Sequence, residues 1–219
     1  ADAQNALGMA DEALASYRTA AEAASRLDEL SPGSGAPRLV AIALTGSAKS
    51  LMQSGDLEKA LARLQEAQRT YDAIHAVRPS VRARRDVSVV REGLGDCPGR
   101  LERMPEAQAA FERCVAIRRE LIGEEPRDRH DRDLAVALTR GVAGIRLKRG
   151  DPRGAMEATA EARQALERLS EAADARATID LVESDLAIVR ALRDLGDLAE
   201  ATQAGKAALE TAARAEETW

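Results

Sequence analysis

Residues 55–67 read Gly-Asp-Leu-Glu-Lys-Ala-Leu-Ala-Arg-Leu-Gln-Glu-Ala, and the pattern of this stretch returns along the whole chain. Its first alanine stands five residues after the glycine. That alanine recurs at spacings of 47, 47, 48 and 46 residues, as Ala13, Ala60, Ala107, Ala155 and Ala201. A period of this size predicts stacked supersecondary units, each of which buries its apolar face only against its neighbours.

Three further positions keep their character from unit to unit. Five residues before the alanine stands Gly8, Gly55, Glu102, Gly150 or Gly196. Seven residues after it comes a small residue, which is Ala20, Ala67, Cys114, Ala162 or Ala208. Seven further on stands an apolar residue, which is Leu27, Ile74, Leu121, Leu169 or Ala215. We expect the alanines from Ala60 onward to be buried at helix crossings, where a larger side chain would overpack.

Apolar residues recur at helical spacing, and glycine and proline mark the joins between helices. The pattern predicts a lone helix at 9–30, followed by pairs at 37–54 and 56–77, 80–97 and 104–122, 131–149 and 152–170, and 174–195 and 197–217. At Gly55-Asp56, Gly150-Asp151 and Gly196-Asp197, we expect glycine to end one helix and aspartate to cap the next. Six of the seven prolines fall at predicted joins, which supports the same boundaries.

The seventh proline, Pro98, lies inside the first predicted helix of the third unit. Proline has no amide hydrogen and its ring clashes with the preceding turn. We therefore expect this helix to end or bend around Asp96–Arg100, while its equivalents in the other units stay continuous. Near the C-terminus, Thr159 and Gly205 take a position that larger residues fill in the earlier units, which predicts looser packing there.

Composition supports an all-helical fold without a bound metal or cofactor. Alanine, the best helix former, supplies 46 of the 219 residues, and aromatic residues make up only 2%. The core must therefore consist of Ala, Leu, Val and Ile. The two cysteines and two histidines show no metal-ligand spacing. No stretch approaches the ~18 apolar residues of a membrane span, so we expect a cytoplasmic protein without a membrane partner.

The net charge of −5 is unevenly distributed along the chain. Residues 1–77 carry a net −3, residues 78–150 a net +5 and residues 151–219 a net −7. This alternation either steers an elongated partner or reflects ordinary variation on solvated helix faces, and the second interpretation is the simpler. An acidic chain with so few aromatic residues argues against binding of single-stranded nucleic acid. The central basic excess leaves a phosphate contact open.

The stretch Leu94-Gly95, followed by Ala107-x3-Phe111 and Cys114, resembles the tetratricopeptide repeat (TPR). The period of about 47 residues is longer than the usual 34 of that family, so each helix would gain one to two turns. Arg85-Asp-Val-Ser-Val and Arg132-Asp-Leu-Ala-Val, which follow Pro79 and Pro126, resemble the long-period arrays of bacteria. The resemblance implies a right-handed α-solenoid of antiparallel helix pairs.

The expected domain organisation follows from this resemblance. A single TPR-like domain would span 1–219, with a truncated unit at 1–36 and complete units at 37–79, 80–126, 127–172 and 173–219. In the TPR family, the first helix of each pair lines a concave groove. Its inward positions correspond here to Thr45, Lys49, Gln53, Glu92, Asp96, Arg100, Arg140, Lys148, Arg190 and Asp194, with Gly144 and Leu186 completing the pattern.

No catalytic constellation is visible in the sequence. His75 and His130 have no partner groups that would make either a general base. We therefore expect a non-enzymatic scaffold that binds a protein or peptide through the concave surface. The alternative is a sensor or regulatory segment of a larger bacterial signalling protein, such as a serine/threonine kinase or a caspase-like peptidase. The sequence does not identify the partner or the oligomeric state.

Overall fold

A computed structural model describes residues 8–31, 33–170 and 175–217 of the chain, and every regular element in these ranges is helical. The lone first helix is α1 (Ala10–Leu30). It is followed by α2 (Ala36–Ser54) and α3 (Leu57–Val77), and by α4 (Val81–Arg100) and α5 (Met104–Glu124). Next come α6 (Asp128–Val136), a π-helical segment (Ala137–Ala143) and α7 (Gly144–Lys148). The last helices are α8 (Pro152–Ser170), α9 (Ala175–Leu195) and α10 (Leu198–Glu217).

The helices follow the predicted boundaries closely. The second helices of the units, which we call B helices, are α1, α3, α5, α8 and α10, and they begin at residues 10, 57, 104, 152 and 198. The first helices, called A helices, are α2, α4, α9 and the interrupted helix that runs from α6 to α7. The predicted start of the last A helix at residue 174 lies outside the described residues.

The tight turns between A and B helices confirm most of the predicted caps. Gly55, Gly150 and Gly196 have φ values of 88°, 74° and 82° in the left-handed region, where a side chain would be strained. Asp151 accepts a hydrogen bond from the Gly154 amide at 2.9 Å, and Asp197 caps α10 in the same way. Asp56 is the exception: its carboxylate makes no cap and pairs with Lys59 instead.

The chain also divides into two compact halves, residues 1–110 and 111–219. From here on, "the first unit" and "the second unit" mean these two halves, and the five sequence repeats are called repeats. In the first unit, α1 and α3 both pack on α2, and α3 also packs on α4. In the second unit, α8 packs on α6 and on the π-helical segment, and α9 lies against both α8 and α10. Ala60, Ala107, Ala155 and Ala201 are buried, as the repeat predicted.

A large side chain of a B helix rests directly on the backbone of the A helix that follows it. A Cβ atom added to Gly46 would lie 2.2 Å from the ring of Tyr17, and one added to Gly141 would lie 2.3 Å from the ring of Phe111. Because real Cβ atoms never approach so closely, these two helix pairs can meet only at glycine. The third repeat has the same arrangement: a Cβ atom added to Gly93 would lie 2.8 Å from the Leu64 side chain.

The corresponding pair in the fifth repeat is smaller on the B-helix side and larger on the A-helix side. Thr159 takes the place of Phe111, and Ala187 takes the place of the glycine. Thr159 is completely buried, and its hydroxyl donates to the Ala155 carbonyl oxygen at 2.8 Å. The position that glycine holds in the earlier repeats thus carries a methyl group here, and Ala187 is buried.

Helix α4 runs without interruption through Pro98, so the bend predicted there is wrong. The helix ends at Arg100, which agrees with the other predicted outcome, an end around Asp96–Arg100. Proline removes only one backbone hydrogen bond, and because Pro98 lies in the last turn the bonds of the preceding turns stay intact. The Leu101 amide still donates to the Cys97 carbonyl at 3.1 Å, and Cys97, Pro98 and Gly99 are all buried. Tertiary packing therefore holds a turn that local propensity disfavours.

The interruption lies instead in the fourth repeat, where we expected a continuous helix. The π-helical segment Ala137–Ala143 replaces regular α-helix there. Asp133, which precedes the segment, lies 47 residues after the equivalent Asp86 of the third repeat. Ala155, which follows the segment, lies 48 residues after the equivalent Ala107. The fourth A helix thus contains one extra residue, and a single π turn absorbs one residue without breaking the helix.

The extra residue is identified by comparison with the second repeat, residues 37–79. Leu44 and Gly46 correspond to Leu138 and Gly141, so one residue of the pair Thr139 and Arg140 has no counterpart. Thr45 donates its hydroxyl to the Ala41 carbonyl oxygen at 2.8 Å. The hydroxyl of Thr139 is buried and finds no hydrogen-bond partner among the described residues. Because a buried hydroxyl without a partner is costly, we predict that Thr139 is the inserted residue.

We predict that Gly141→Ala lowers the free energy of unfolding by about 1–3 kcal/mol, because its Cβ would collide with the Phe111 ring. Gly144→Ala is the matched control in the same helix, since no atom lies within 4 Å of the added Cβ. It should stabilise the protein slightly through higher helix propensity. Urea denaturation of both variants measures the difference, and equal effects would contradict the contact.

We also predict that deletion of Thr139 is tolerated and yields a continuous α-helix. The deletion removes a buried, unpaired hydroxyl, whose cost is about 1–3 kcal/mol, and restores the regular register. Deletion of Glu92 in the uninterrupted helix α4 is the control, because it shifts every following core residue and should unfold the unit. Thermal denaturation compares the two, and a Thr139 deletion as damaging as the Glu92 deletion would refute the register assignment.

Candidate functional site

Most of the side chains predicted to line a binding surface are accessible on the A helices. The exposed ones are Lys49, Gln53, Asp96, Arg100, Arg140, Lys148, Arg190 and Asp194, and Glu92 is half-buried. Thr45 is buried, and its hydroxyl is already bonded to the Ala41 carbonyl. Thr45 therefore offers little to a partner. None of the ten lines either of the two larger clefts described below.

Arg140 is engaged within the second unit. Its guanidinium donates to Glu183 at 2.6 Å and lies 3.7 Å from the buried carboxylate of Asp180. These contacts connect the π-helical segment to α9 across neighbouring A helices. The charge of Arg140 is thus largely neutralised inside the unit, and its first role is to hold two A helices together.

A similar polar cluster connects the A helices of the first unit. Arg38 donates two hydrogen bonds to Asp86, at 2.5 and 3.0 Å, and this bond raises the pKa of Arg38. The phenol of Tyr71 lies close enough to this pair to feel both charges. Burial disfavours the phenolate and raises the pKa of Tyr71 to about 12, with a smaller contribution from the Asp86 charge.

Sequence reasoning missed the apolar part of the A-helix surface. On α2, Leu39 is 49% exposed and Ile42 is 40% exposed. At 100° per residue, both lie within the same quarter-turn arc as Lys49 and Gln53. The sequence did contain a signal for this surface. Leu39 and Ile42 are three residues apart, and Leu39 is apolar where the equivalent position of the third repeat is the charged Asp86.

The last A helix repeats this arrangement within the second unit. Ile179 is 52% exposed and Leu186 is 41% exposed, and both lie on the face of α9 that carries Arg190. In α2 and in α9 alike, these apolar side chains precede the polar ones along the exposed face. Exposed clusters of this kind mark interaction surfaces more often than isolated apolar residues do.

The largest described cleft lies on a different face of the first unit, and we call it the α1–α3 groove. Helices α1 and α3 form its walls and α2 forms its floor, and its volume is about 790 Å³. Val40, Leu44 and Leu51 supply the apolar floor. Charged side chains stand along both walls, namely Asp11, Arg18, Glu22, Arg26, Lys59, Arg63 and Glu66.

The second unit contains the equivalent cleft in a narrower form. Its walls are α5 and α8, its floor is the interrupted A helix, and its volume is about 250 Å³. Arg119 of one wall donates two hydrogen bonds to Glu161 of the other, at 2.9 and 2.6 Å. Arg146 on the floor donates to the Gly154 carbonyl at 2.6 Å. The two walls are therefore tied together across the opening.

Other reactive groups are enclosed rather than presented. The Cys97 thiol is buried against the Leu57 carbonyl, and burial raises its pKa. His130 is buried at the start of α6, with Nδ1 2.9 Å from the Glu125 carbonyl oxygen. In the described part of the chain, no group of three or more His, Cys, Asp or Glu side chains is arranged to hold a metal ion. The helices of the same part are all too short or too polar to cross a bilayer.

We predict that Tyr71→Phe flattens the alkaline loss of stability. The pKa of Tyr71 is about 12 in the folded chain against 10.0 in the unfolded chain, so unfolding releases a proton between these values. Stability of the unaltered protein therefore falls as the pH rises from about 10 to about 12. Urea midpoints measured across this range should decline less steeply for Tyr71→Phe. Parallel declines would contradict the assignment, because Tyr17 is common to both proteins.

No protein-family model matches the sequence, and no curated protein sequence matches it either. Solved structures do match the fold. BtubC (BKLC) from P. vanneervenii superposes with a TM-score of 0.57 at 16% identity, covering 95% of this chain and 91% of its own. A P. anserina protein described as kinesin light chain, with nearly identical TPR-like repeats, superposes with a TM-score of 0.64 at 16% identity. It covers 99% of this chain and 96% of its own.

These superpositions confirm the resemblance at the level of the fold. Both superpositions extend over nearly the whole chain, and the P. anserina structure is described as TPR-like repeats. The period of about 47 residues rests on the helix starts of this chain alone. The fold of this protein is that of the TPR-like repeat proteins, an all-α solenoid of helix pairs.

Proposed function

We propose that this chain is a non-enzymatic scaffold that binds a protein or peptide partner through the exposed faces of its A helices. The TPR-like fold supports a scaffold, because repeats of this class present extended surfaces made of many similar helices. The observation that carries the proposal is the exposure of Leu39 and Ile42 beside Lys49 on one face of α2. A cytoplasmic location, predicted from the sequence, is part of the same proposal.

The physical basis is the combination of apolar area and charge on a rigid element. Burial of the exposed parts of Leu39 and Ile42 stabilises a complex at about 25 cal/mol per Å² of apolar surface. Lys49, Asp96 and Arg100 then orient the partner, since charges at the edge of an interface contribute more to specificity than to affinity. Because the helices are already folded, little conformational entropy is lost on binding.

The remaining predicted positions fit this proposal unequally. Lys148, Arg190 and Asp194 are exposed and would extend the surface in the second unit. Arg140 is held by Glu183 and Asp180, so its role in partner binding would be indirect. Thr45 is excluded from direct polar contact by its bond to the Ala41 carbonyl.

We predict that the double variant Leu39→Glu/Ile42→Glu loses the partner while the protein stays folded. The chain, immobilised as bait in a lysate of the encoding organism, should retain about tenfold less of its specific partner when the apolar pair is replaced. Circular dichroism should be unchanged, because both side chains point to solvent.

Val77→Glu is the matched control, since Val77 is 79% exposed but lies at the end of the B helix α3. This variant should capture the partner as well as the unaltered chain. If the double variant and the control retain equal amounts of partner, the A-helix face is not the binding surface.

A further inference from the structure

We infer that the α1–α3 groove binds an amphipathic α-helix of a partner protein, whose flank carries an acidic, a basic and an acidic residue at four-residue spacing. This inference rests on the proposed function in that the occupant is a protein segment. It assigns a second surface, formed by B helices and the opposite side of α2, to a ligand of defined charge pattern.

The shape of the groove suits a helix. Its walls α1 and α3 both pack on α2, which leaves an open channel along the direction of the helices. The floor residues Val40, Leu44 and Leu51 share one face of α2. An apolar stripe of an incoming helix can cover this floor while its flanks remain beside the charged walls, which is the usual arrangement of a helix in a groove.

The α1 wall presents three exposed charges that form no ion pair with another described residue. Arg18, Glu22 and Arg26 follow one another at four-residue spacing, so they lie on one face of α1 and span about 12 Å. All three are exposed, and none forms a hydrogen bond or ion pair with another described residue. Their order is basic, acidic, basic, and the complementary order on a partner is acidic, basic, acidic.

Comparison with the second unit shows what closes such a groove. Arg119 corresponds to Ser25, and Glu161 corresponds to Glu66. The Arg119–Glu161 pair joins the walls of the narrow cleft, whereas Ser25 is too short to reach across the wide one. The carboxylate of Glu66 pairs with Arg63 of its own helix, at 3.3 Å. The first unit thus lacks the internal bridge and leaves the same site open.

The charge order distinguishes a helix from other occupants. Along Arg18, Glu22 and Arg26, a uniformly acidic ligand would meet one repulsive and two attractive charges, and a uniformly basic ligand would meet two repulsive and one attractive. An alternating flank pairs with all three, and the acidic–basic–acidic order reads the same in both chain directions. Exposed pairs contribute little each, so the three together decide which helix binds more than how tightly it binds.

The test uses two synthetic helical peptides with the same Leu/Ala apolar stripe. One carries Glu-x3-Lys-x3-Glu beside the stripe and the other carries Lys-x3-Glu-x3-Lys, and fluorescence anisotropy with the whole chain gives each Kd. We expect the first peptide to bind about tenfold more tightly, and the triple variant Arg18→Glu/Glu22→Lys/Arg26→Glu to reverse this preference.

Ser25→Arg provides a second, independent variant. It introduces the arginine that reaches Glu161 in the second unit, so it should bridge to Glu66, close the groove and weaken both peptides about tenfold. Thr19→Arg is the matched control, because it adds the same charge to an exposed site of α1 outside the groove.

Equal affinity for the two peptides, unchanged affinity in Ser25→Arg, or no binding of either peptide would each overturn the inference. Failure here is distinguishable from failure of the proposed function. Partner capture that depends on Leu39 and Ile42 can persist when neither peptide binds, since those side chains lie on another face of α2.

Discussion

Contact between a large side chain and a bare helix backbone sets the spacing of this array. Tyr17 on Gly46 and Phe111 on Gly141 leave no room for even one methyl group. A chain with only 2% aromatic residues thus places two of them directly against helix backbone. Since alanine fills the other crossings, the helices approach closely and the position of each glycine determines where its neighbour lies.

That constraint also accounts for the one irregular helix. Gly141 must stay under Phe111, and Asp133 must keep its position at the start of the helix. One more residue lies between Asp133 and Gly141 than between the equivalent Asp86 and Gly93. A π turn satisfies both requirements at the cost of a buried, unpaired hydroxyl on Thr139. The backbone deforms because the side-chain contacts on either side cannot shift.

The same packing divides the surface of each A helix into two kinds of site. One side of α2 is exposed and combines Leu39 and Ile42 with charged residues. Another side forms the floor of a groove whose walls are B helices; the Arg119–Glu161 pair spans the narrow groove, and the wide groove has Ser25 at the position of Arg119. Similar repeats therefore present different surfaces through single substitutions on the walls.

The sequence by itself determined the all-α class, the repeat period, the helix boundaries and the buried alanines, because helical periodicity, glycine turns and proline joins are local signals. Of the ten polar A-helix positions it predicted to line a surface, eight are exposed, Glu92 is half-buried and Thr45 is buried. It misplaced the irregular helix: Pro98 is tolerated because tertiary packing holds the last turn of α4, and the π turn follows from contacts with Phe111. The exposure of Leu39 and Ile42, the engagement of Arg140 and the open groove beside Ser25 were decided only by tertiary structure. Each of these features depends on contacts between side chains of different helices. The spacing of residues within one helix does not determine the distances between helices.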